Sequence, residues 1–496
     1  MELQFHKRSL PCLQKVTAEA KELEQTQELR LPDGMPDIGR VLGVWGQILL
    51  RGKEWRSESI SASGGVMAWV LYTPEEGGEV RSLETWIPFQ QKWDIPDTHR
   101  DGNICVCALL RFLDARSISA RKLMLRMGIT LRADAWLPGE AELYEAENVP
   151  QDIQLLKNTY PMCLPKEAGE KPFSLDEEFT LPGQNAEKLI FYSLRPEITD
   201  QKVMAGKAVF RGDAGLHVVY RGQDGQLYSF DEEIPFSQFA ELEGEYDADA
   251  MLRMLPAVTG LELELGEDGR LHMKAGLTGQ YVIYDRTPVE LVQDAYSPVR
   301  TVTPQLDTLQ LPVVLEELSR TVDAEKNVQA EGSRMVNVTF CPRQPRVSPN
   351  GDGVTLELDG QFQMLYYDME GALQCLSSGW EEQLPMEADG NSTVEVTVMP
   401  TGSSTGGLGS DALLRGSVRL DTLTGTRQGM PMVMGLEMTE QHEPDPQRPS
   451  LIVRSVGEGS LWELAKKTGS TVDAIRKANN LQQEPEDSQL LLIPVL

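Results

Sequence analysis

The chain has 496 residues, about three times the length of a typical domain, so several separate hydrophobic cores are expected. Acidic residues outnumber basic residues 76 to 46, and the formal charge of -30 repels phosphate backbones and anionic lipid surfaces. No stretch approaches the roughly 18 consecutive apolar residues that a membrane span requires. The composition therefore argues against nucleic acid as a partner and against membrane insertion. A basic protein surface or a neutral glycan stays compatible with it.

The N-terminal residues predict a protein that is not exported. Lys7 and Arg8 are followed by no apolar segment, so we expect no secretory signal and a cytoplasmic chain. Scattered cysteines in such a compartment are usually reduced and buried, so no disulfide framework is expected. The six cysteines are Cys12, Cys105, Cys107, Cys163, Cys341 and Cys375.

Most of the chain shows apolar residues at every second position, interrupted by turns that contain glycine, which indicates half-buried antiparallel strands. Helical signals are short, and LPDGMPDIGRVL from Leu31 offers at most a turn or two. We therefore predict a mainly β fold. The clearest strand segments are GGVMAWVLY ending at Tyr72, KLMLRMGITLRADAW ending at Trp136, GRLHMKAGLTGQYVIYD ending at Asp285 and GVTLELDGQFQMLYYD ending at Asp368.

An internal repeat runs through this β region. Residues 65–89 and 215–236 share an apolar strand ending in tyrosine, an acidic turn with glycine, and a closing Ile-Pro-Phe; a weaker third copy spans 360–385. Because proline has no N–H to donate, we expect it to end the strand ladder. The matching residues are Tyr72, Gly77 and Ile87-Pro88-Phe89 in the first copy, and Tyr220, Gly225 and Ile234-Pro235-Phe236 in the second.

The repeat predicts tandem β-sandwich-like domains, each of about 120 to 140 residues. We place them at residues 1–140, 151–300 and 301–440, the last being the most diverged. Residues 441–450 read as a proline-rich linker with almost no apolar residue. A small βααβ domain at 451–496 completes the predicted architecture.

The last segment changes from a β pattern to strand, helix, helix, strand. Ser460 and Glu463 form a capping-box pattern before an apolar helix face, and Gly469 is a typical helix stop. Thr471 is suited to cap a second helix, which Asn479 and Asn480 would end. LIVRSV from Leu451 and LLLIP from Leu490 predict the two strands.

This segment resembles the LysM family in Ser460-Leu461-Trp462-Glu463-Leu464-Ala465, in Asn479 and Leu481, and in Gln489 followed by Leu491, Ile493 and Pro494. The resemblance implies a shallow groove that holds N-acetylglucosamine polymers. By position, that groove involves Gly459, Ser460, Leu461, Asn480 and Leu481, and Leu461→Ala is expected to affect binding more than stability. The alternative is that Leu461 and Trp462 serve the core or the helix surface. Glu458 and Ser488 depart from the family pattern at the glycan-contacting loop, which favours protein docking.

The upstream repeats resemble the SPOCS domain family, a module of sporulation and spore coat proteins in endospore-forming Firmicutes. The residues that carry the likeness, besides the repeat itself, are Leu31-Pro32, Pro36-Asp37-Ile38, Asp114-Ala115-Arg116 and Asp294-Ala295-Tyr296-Ser297. The resemblance implies a non-enzymatic scaffold in the mother cell, recruited to the forespore surface and spore coat through a morphogenetic ATPase of the coat basement. It also implies that the LysM segment is a principal docking surface.

Signals for catalysis, metals and cofactors are weak, and we predict none of the three. Five histidines lie apart without metal-ligand spacing, and Cys105 with Cys107 has no second pair to complete a zinc site. Two alternatives to the scaffold remain open. One is a binding protein for cortex or cell-wall peptidoglycan, and the other is a wall hydrolase with an unrecognised β catalytic domain.

Overall fold

The structure is a computed structural model that describes residues 2–98, 100–182, 186–266, 269–350, 353–387, 392–406, 410–442, 447–455, 459–483, 485 and 489–496. Strands dominate these residues, so the prediction of a mainly β fold is confirmed. The elements are β1 (Glu2–Gln4), β2 (His6–Arg30), β3 (Ile38–Arg56), β4 (Ser59–Pro74), β5 (Arg81–Asp94), β6 (Asn103–Ser119), β7 (Lys122–Glu145), β8 (Gln154–Thr180), β9 (Ala186–Met204), β10 (Lys207–Gly222), β11 (Leu227–Glu241), β12 (Met251–Leu265), β13 (Arg270–Tyr296), β14 (Val302–Gln329), β15 (Gly332–Pro342), β16 (Arg346–Asn350), β17 (Gly353–Asp368), β18 (Leu373–Met386), β19 (Ser392–Gly406), β20 (Asp411–Met438), β21 (Leu451–Ser455), α1 (Leu461–Thr468), α2 (Val472–Asn479) and β22 (Leu490–Pro494).

One strand topology occurs three times along the chain. In the first unit, one sheet has the order β2-β7-β6 and the other has the order β3-β4-β5. The second unit repeats this arrangement as β8-β13-β12 and β9-β10-β11. The third repeats it as β14-β20-β19 and β15-β17-β18, with β16 added to β17 and β1 added to β20. All these pairs are antiparallel, and the two sheets of each unit face each other across a buried apolar layer, as in a β-sandwich.

The strand limits bear on the predicted boundaries of the domains at 1–140, 151–300 and 301–440. Strand β7 continues to Glu145, so position 140 falls inside a strand. The short β1 pairs with β20, which places the N-terminal residues on the sheet of the third unit. The segment from Leu31 forms a turn followed by β3. We keep the three-domain division as a proposal, now with these strand limits.

The middle strand of the first repeat is buried on both faces. Val66 and Val70 face the core of their own unit, whereas Trp69 and Leu71 belong to the core that surrounds the second unit. Trp45 of β3 stacks on Phe191 of β9, with ring centroids 4.5 Å apart and planes 2° from parallel. The first two units therefore share a continuous apolar layer where they meet.

The third unit contacts both of the others. Arg334 donates to the carbonyl of Leu227 in the second unit at 3.0 Å. Lys15 of the first unit lies 2.7 Å from the Glu395 carboxylate on β19. A cavity of about 210 Å³ lies where the units meet, bounded by parts of β3 and β6, β9 and β12, and β15 and β19. Topologically equivalent strands of all three units thus line the same cavity.

The turns of the three repeats share one geometry. Gly77, Gly225 and Gly371 follow the middle strands with φ of 79°, 75° and 81°. Each donates its N–H to the carbonyl three residues earlier, at 3.0 to 3.1 Å. Glycine adopts this left-handed conformation without the steric cost that a Cβ imposes. The equal geometry extends the repeat to its weak third copy.

The prolines of the repeat do not end the strand ladder, so that expectation was wrong. Pro88 pairs with Gly65, and the ladder continues to Asp94 opposite Ser59. Pro235 likewise lies inside β11. Both prolines occupy strands at a sheet edge, where the missing N–H can face away from the ladder.

The tyrosines shared by the first two copies of the repeat form buried hydrogen bonds within their own units. The Tyr72 hydroxyl donates to the carbonyl of Pro36 at 3.0 Å, and the Tyr220 hydroxyl donates to the carbonyl of Pro182 at 2.6 Å. Both tyrosines are buried, and both acceptors precede the second strand of their unit. These contacts explain why the repeat contains tyrosine at this position.

We predict that Tyr72→Phe and Tyr220→Phe each lower the free energy of unfolding by about 1–2 kcal/mol, because each leaves a carbonyl without its donor. Urea denaturation of the full chain measures the loss. The matched control is Tyr160→Phe, because Tyr160 lies in a partly exposed position on β8. Equal losses in all three variants would contradict a specific role for the two buried hydroxyls.

Candidate docking surface of the C-terminal module

Residues 451–496 fold in the predicted order of strand, helix, helix and strand, within the described ranges. The Ser460 hydroxyl accepts from the Glu463 N–H at 3.2 Å, and the Glu463 carboxylate accepts from the Ser460 N–H at 3.4 Å. This capping box satisfies free N–H groups at the start of α1. Gly469 ends the helix in the left-handed region with φ of 66°. These predicted cap residues are confirmed.

The second helix is fixed at both ends. Thr471 accepts from the Ala474 N–H at 3.1 Å, and Asn480 caps the C-terminus with φ of 50°. The Asn479 side chain donates to the Leu492 carbonyl at 2.6 Å and accepts from the Leu492 N–H at 2.8 Å. Asn479 therefore joins α2 to the outer edge of β22, a role that the sequence pattern did not reveal.

The proposed groove residues divide between core and surface. Ser460 and Asn480 are exposed, and Gly459 and Leu481 are half-buried. Leu461, in contrast, is only 3% exposed and packs in the module core with Leu464, Ala465, Ile475, Leu491 and Ile493. Leu481 is partly buried and packs against this core. Glu458 and Ser488 lie outside the described residues.

The burial of Leu461 changes its expected role. Leu461, at the first position of α1, faces the module core and presents little surface to a ligand. The alternative of a core residue therefore has the better structural support.

The module packs against the end of β13 in the second unit. The Asp294 carboxylate accepts from the Trp462 indole N–H at 2.8 Å and lies 2.7 Å from the Lys466 ammonium. The Tyr296 hydroxyl donates to the Ser470 carbonyl at 3.0 Å, and its ring meets the Trp462 ring at 4.7 Å, nearly edge to face. Burial raises the pKa of Tyr296 to about 12, so this phenol stays protonated and keeps donating near neutral pH.

These contacts give a structural role to residues that the sequence linked only to a family pattern. Asp294 and Tyr296 belong to the Asp-Ala-Tyr-Ser motif. Trp462 contacts Asp294 and Tyr296 of the second unit and also packs against the module core. The sequence signal was present in both motifs, but nothing in it indicated that they touch.

The thiols that could have suggested chemistry are poorly suited to it. Burial raises the pKa of Cys105 to about 12 and that of Cys107 to about 11. Because the thiolate is the reactive form and the metal ligand, the raised pKa leaves little of the reactive form of either thiol near neutral pH. Among the described residues, no group of His, Cys, Asp and Glu is arranged to hold a metal ion.

His217 forms a polar contact with Asp231 on the neighbouring strand. His217 Nδ1 lies 2.7 Å from the Asp231 carboxylate. Burial acts to raise the pKa of Asp231, but the hydrogen bond with His217 and the nearby positive charges together outweigh burial and lower that pKa.

In the part of the chain that the structure describes, no helix is long and apolar enough to cross a membrane.

Comparison with known proteins bears on the second unit. Residues 185–259 match the family model described as SipL, SPOCS domain, a match that spans β9, β10, β11 and most of β12. No curated protein and no solved structure matches the chain. This segment of the second unit is therefore similar to a SPOCS domain, as its sequence predicted, and the match associates the segment with a sporulation protein family.

We predict that Leu461→Ala destabilises the module by about 2–5 kcal/mol, because it removes a buried side chain from a small core. Hydrogen exchange at the Leu464 and Ile475 amides measures local stability. The control is Leu490→Ala, at a position 71% exposed, where exchange should change little. Unchanged exchange in Leu461→Ala would restore Leu461 as a surface contact.

We predict that Asp294→Ala releases the module from the second unit, because it removes the acceptor shared by Trp462 and Lys466. Limited trypsin digestion of the full chain should yield the C-terminal fragment several-fold faster. The matched control is Lys467→Ala, an exposed neighbour on the same helix. Equal release rates for Asp294→Ala and the parent chain would show that the contact does not hold the module.

Proposed function

We propose that this protein is a non-enzymatic scaffold of spore envelope assembly. It works in the mother-cell cytoplasm at the forespore surface, and its LysM-type C-terminal module docks onto a morphogenetic ATPase of the coat basement. The observation that carries the proposal is the SPOCS match at residues 185–259, inside a body that repeats the same strand topology three times. We extend the SPOCS assignment to the first and third units on that topology.

The geometry supports a binding role in two ways. The three units share buried layers and contact one another, so the body presents its surfaces in fixed relative positions. The module is held on that body by Asp294 and Tyr296, with Ser460 and Asn480 left exposed at the helix ends. The buried thiols, with their raised pKa values, offer no activated nucleophile.

Peptidoglycan binding is the second candidate. Its support is the βααβ order of the module and the exposed helix ends that correspond to the glycan groove of the LysM family. Neutral sugars would not be repelled by a chain of charge -30. The two candidates predict different captured material, so one experiment separates them.

The full chain should capture the coat-basement ATPase from an extract of sporulating cells and sediment weakly with purified peptidoglycan. Asn480→Gly should weaken capture at least fivefold if the groove contributes, since glycine keeps the left-handed backbone but removes the side chain. Lys467→Ala is the surface control. Strong sedimentation with peptidoglycan, without capture of the ATPase, would replace the scaffold with the glycan-binding protein.

A further inference from the structure

Strands β21 and β22 form a two-stranded antiparallel sheet, and the outward face of this sheet is apolar and uncovered. Leu451 and Val453 on β21 are 52% and 56% exposed, and Leu490 and Leu492 on β22 are 71% and 41% exposed. Ile452, Leu491 and Ile493, at the intervening positions, face the helices. None of the side chains on the outward face is charged: Leu451, Val453, Ser455, Leu490, Leu492 and Pro494. The last 46 residues thus hold a concentrated apolar surface in a strongly acidic chain.

The backbone of this two-stranded sheet is open along one edge. The Val495 N–H donates to the Ser450 carbonyl at 3.0 Å, which makes these two residues a hydrogen-bonded pair. Because such pairs alternate in antiparallel strands, Leu451, Val453 and Ser455 direct their N–H and C=O groups away from β22. Within the described residues, nothing else pairs with this edge.

The opposite edge of the two-stranded sheet is closed. By the same alternation, Leu492 directs its backbone groups away from β21, and there the Asn479 side chain satisfies both. Further upstream, Pro88, Pro235 and Pro385 lie in the edge strands β5, β11 and β18. Proline in an edge strand discourages pairing with another chain. Strand β21 has neither form of protection.

We propose that β21 is a docking edge for an extended segment of a partner protein, which adds to the two-stranded sheet as a third strand. The segment is apolar at alternate positions, so that its side chains continue the face of Leu451 and Val453, and it has basic residues on its flanks. Outward N–H and C=O groups along a strand are best satisfied by another extended backbone. This inference rests on the proposed docking role of the module and names its contact surface.

Charge selects this occupant over a second copy of the chain. Residues 451–496 have five basic and six acidic residues, so nearly all of the formal charge of -30 lies in the body beside the module. Two such bodies repel each other when their C-terminal modules approach, whereas basic flanks on a partner segment are attracted to the acidic body.

The probe is a synthetic peptide with the sequence of residues 450–456, flanked by two lysines at each end and labelled for fluorescence anisotropy with the full chain. We expect saturable binding that falls at least tenfold when alternate peptide nitrogens are methylated, since methylation removes strand donors. Glutamate in place of the flanking lysines should weaken binding at least fivefold. Equal binding of the methylated and unmethylated peptides would overturn strand addition.

Variants of the chain locate the site. Val453→Pro removes an outward N–H that β22 does not use, and Val453→Lys keeps the N–H but charges the apolar face; both should weaken peptide binding at least tenfold. Val453→Thr keeps the branched shape and the N–H and should stay within threefold. Hydrogen exchange at Leu464 verifies that each variant retains the module fold. Full binding by a folded Val453→Lys would overturn the assignment to this edge.

Two further outcomes separate this inference from the proposed function. If Val453→Lys captures the coat-basement ATPase as well as the parent chain does, the scaffold stands and the docking edge fails. If the peptide binds as predicted while no ATPase is captured, the edge stands and the proposed partner fails. A dimer in light scattering that Val453→Pro converts to a monomer would make a second copy the occupant, against our proposal.

Discussion

The architecture depends on strands that bury both of their faces. In β4, Val66 and Val70 fill one core while Trp69 and Leu71 fill another, so one strand supports two units at once. Burying an aromatic side chain contributes on the order of 2–3 kcal/mol, and Trp45 and Trp69 each meet an aromatic ring of the second unit. Separating the units would expose these surfaces together. The body is therefore expected to unfold as linked units.

The same principle explains the position of the C-terminal module. A domain of about 46 residues buries a small core, so external contacts matter to it more than to a large domain. Tyr296, at the end of β13, is 4% exposed and joins the module core beside Leu461. The body therefore contributes part of the core that the module lacks. This contact also fixes which face of the module turns inward, because α1 holds both Trp462 and Lys466 on Asp294.

Local patterns predicted the elements well where one physical rule decided the outcome. Alternation identified the strands, and the Ser460–Glu463 box and Gly469 marked the ends of α1. Alternation predicts a half-buried strand at GVMAWVLY, although such a continuous apolar run is typical of a strand covered on both faces. The second face is covered by residues more than one hundred positions away, and the pattern within one segment cannot identify them.

The site shows the same limit. Leu461 and Trp462 both lay in a family motif, but only the packing distinguishes the first as core and the second as a contact with Asp294. Spacing along a helix gives the face on which a residue lies, without giving what that face meets. The expectation for the edge prolines failed for a related reason. Proline lacks a donor whether it ends a ladder or lies on its outer side, and only the strand order distinguishes the two.

Docking through α1 has a consequence for the rest of the module. The two helices lie on one side of the sheet that β21 and β22 form, and Asp294 and Tyr296 hold α1 against the body. The opposite side of this sheet, with Val453 and Leu492, is then left exposed. An exposed apolar face tends to promote aggregation, and the charge of the body counters this by repelling other copies. An acidic body therefore discourages self-association through the apolar sheet that it carries.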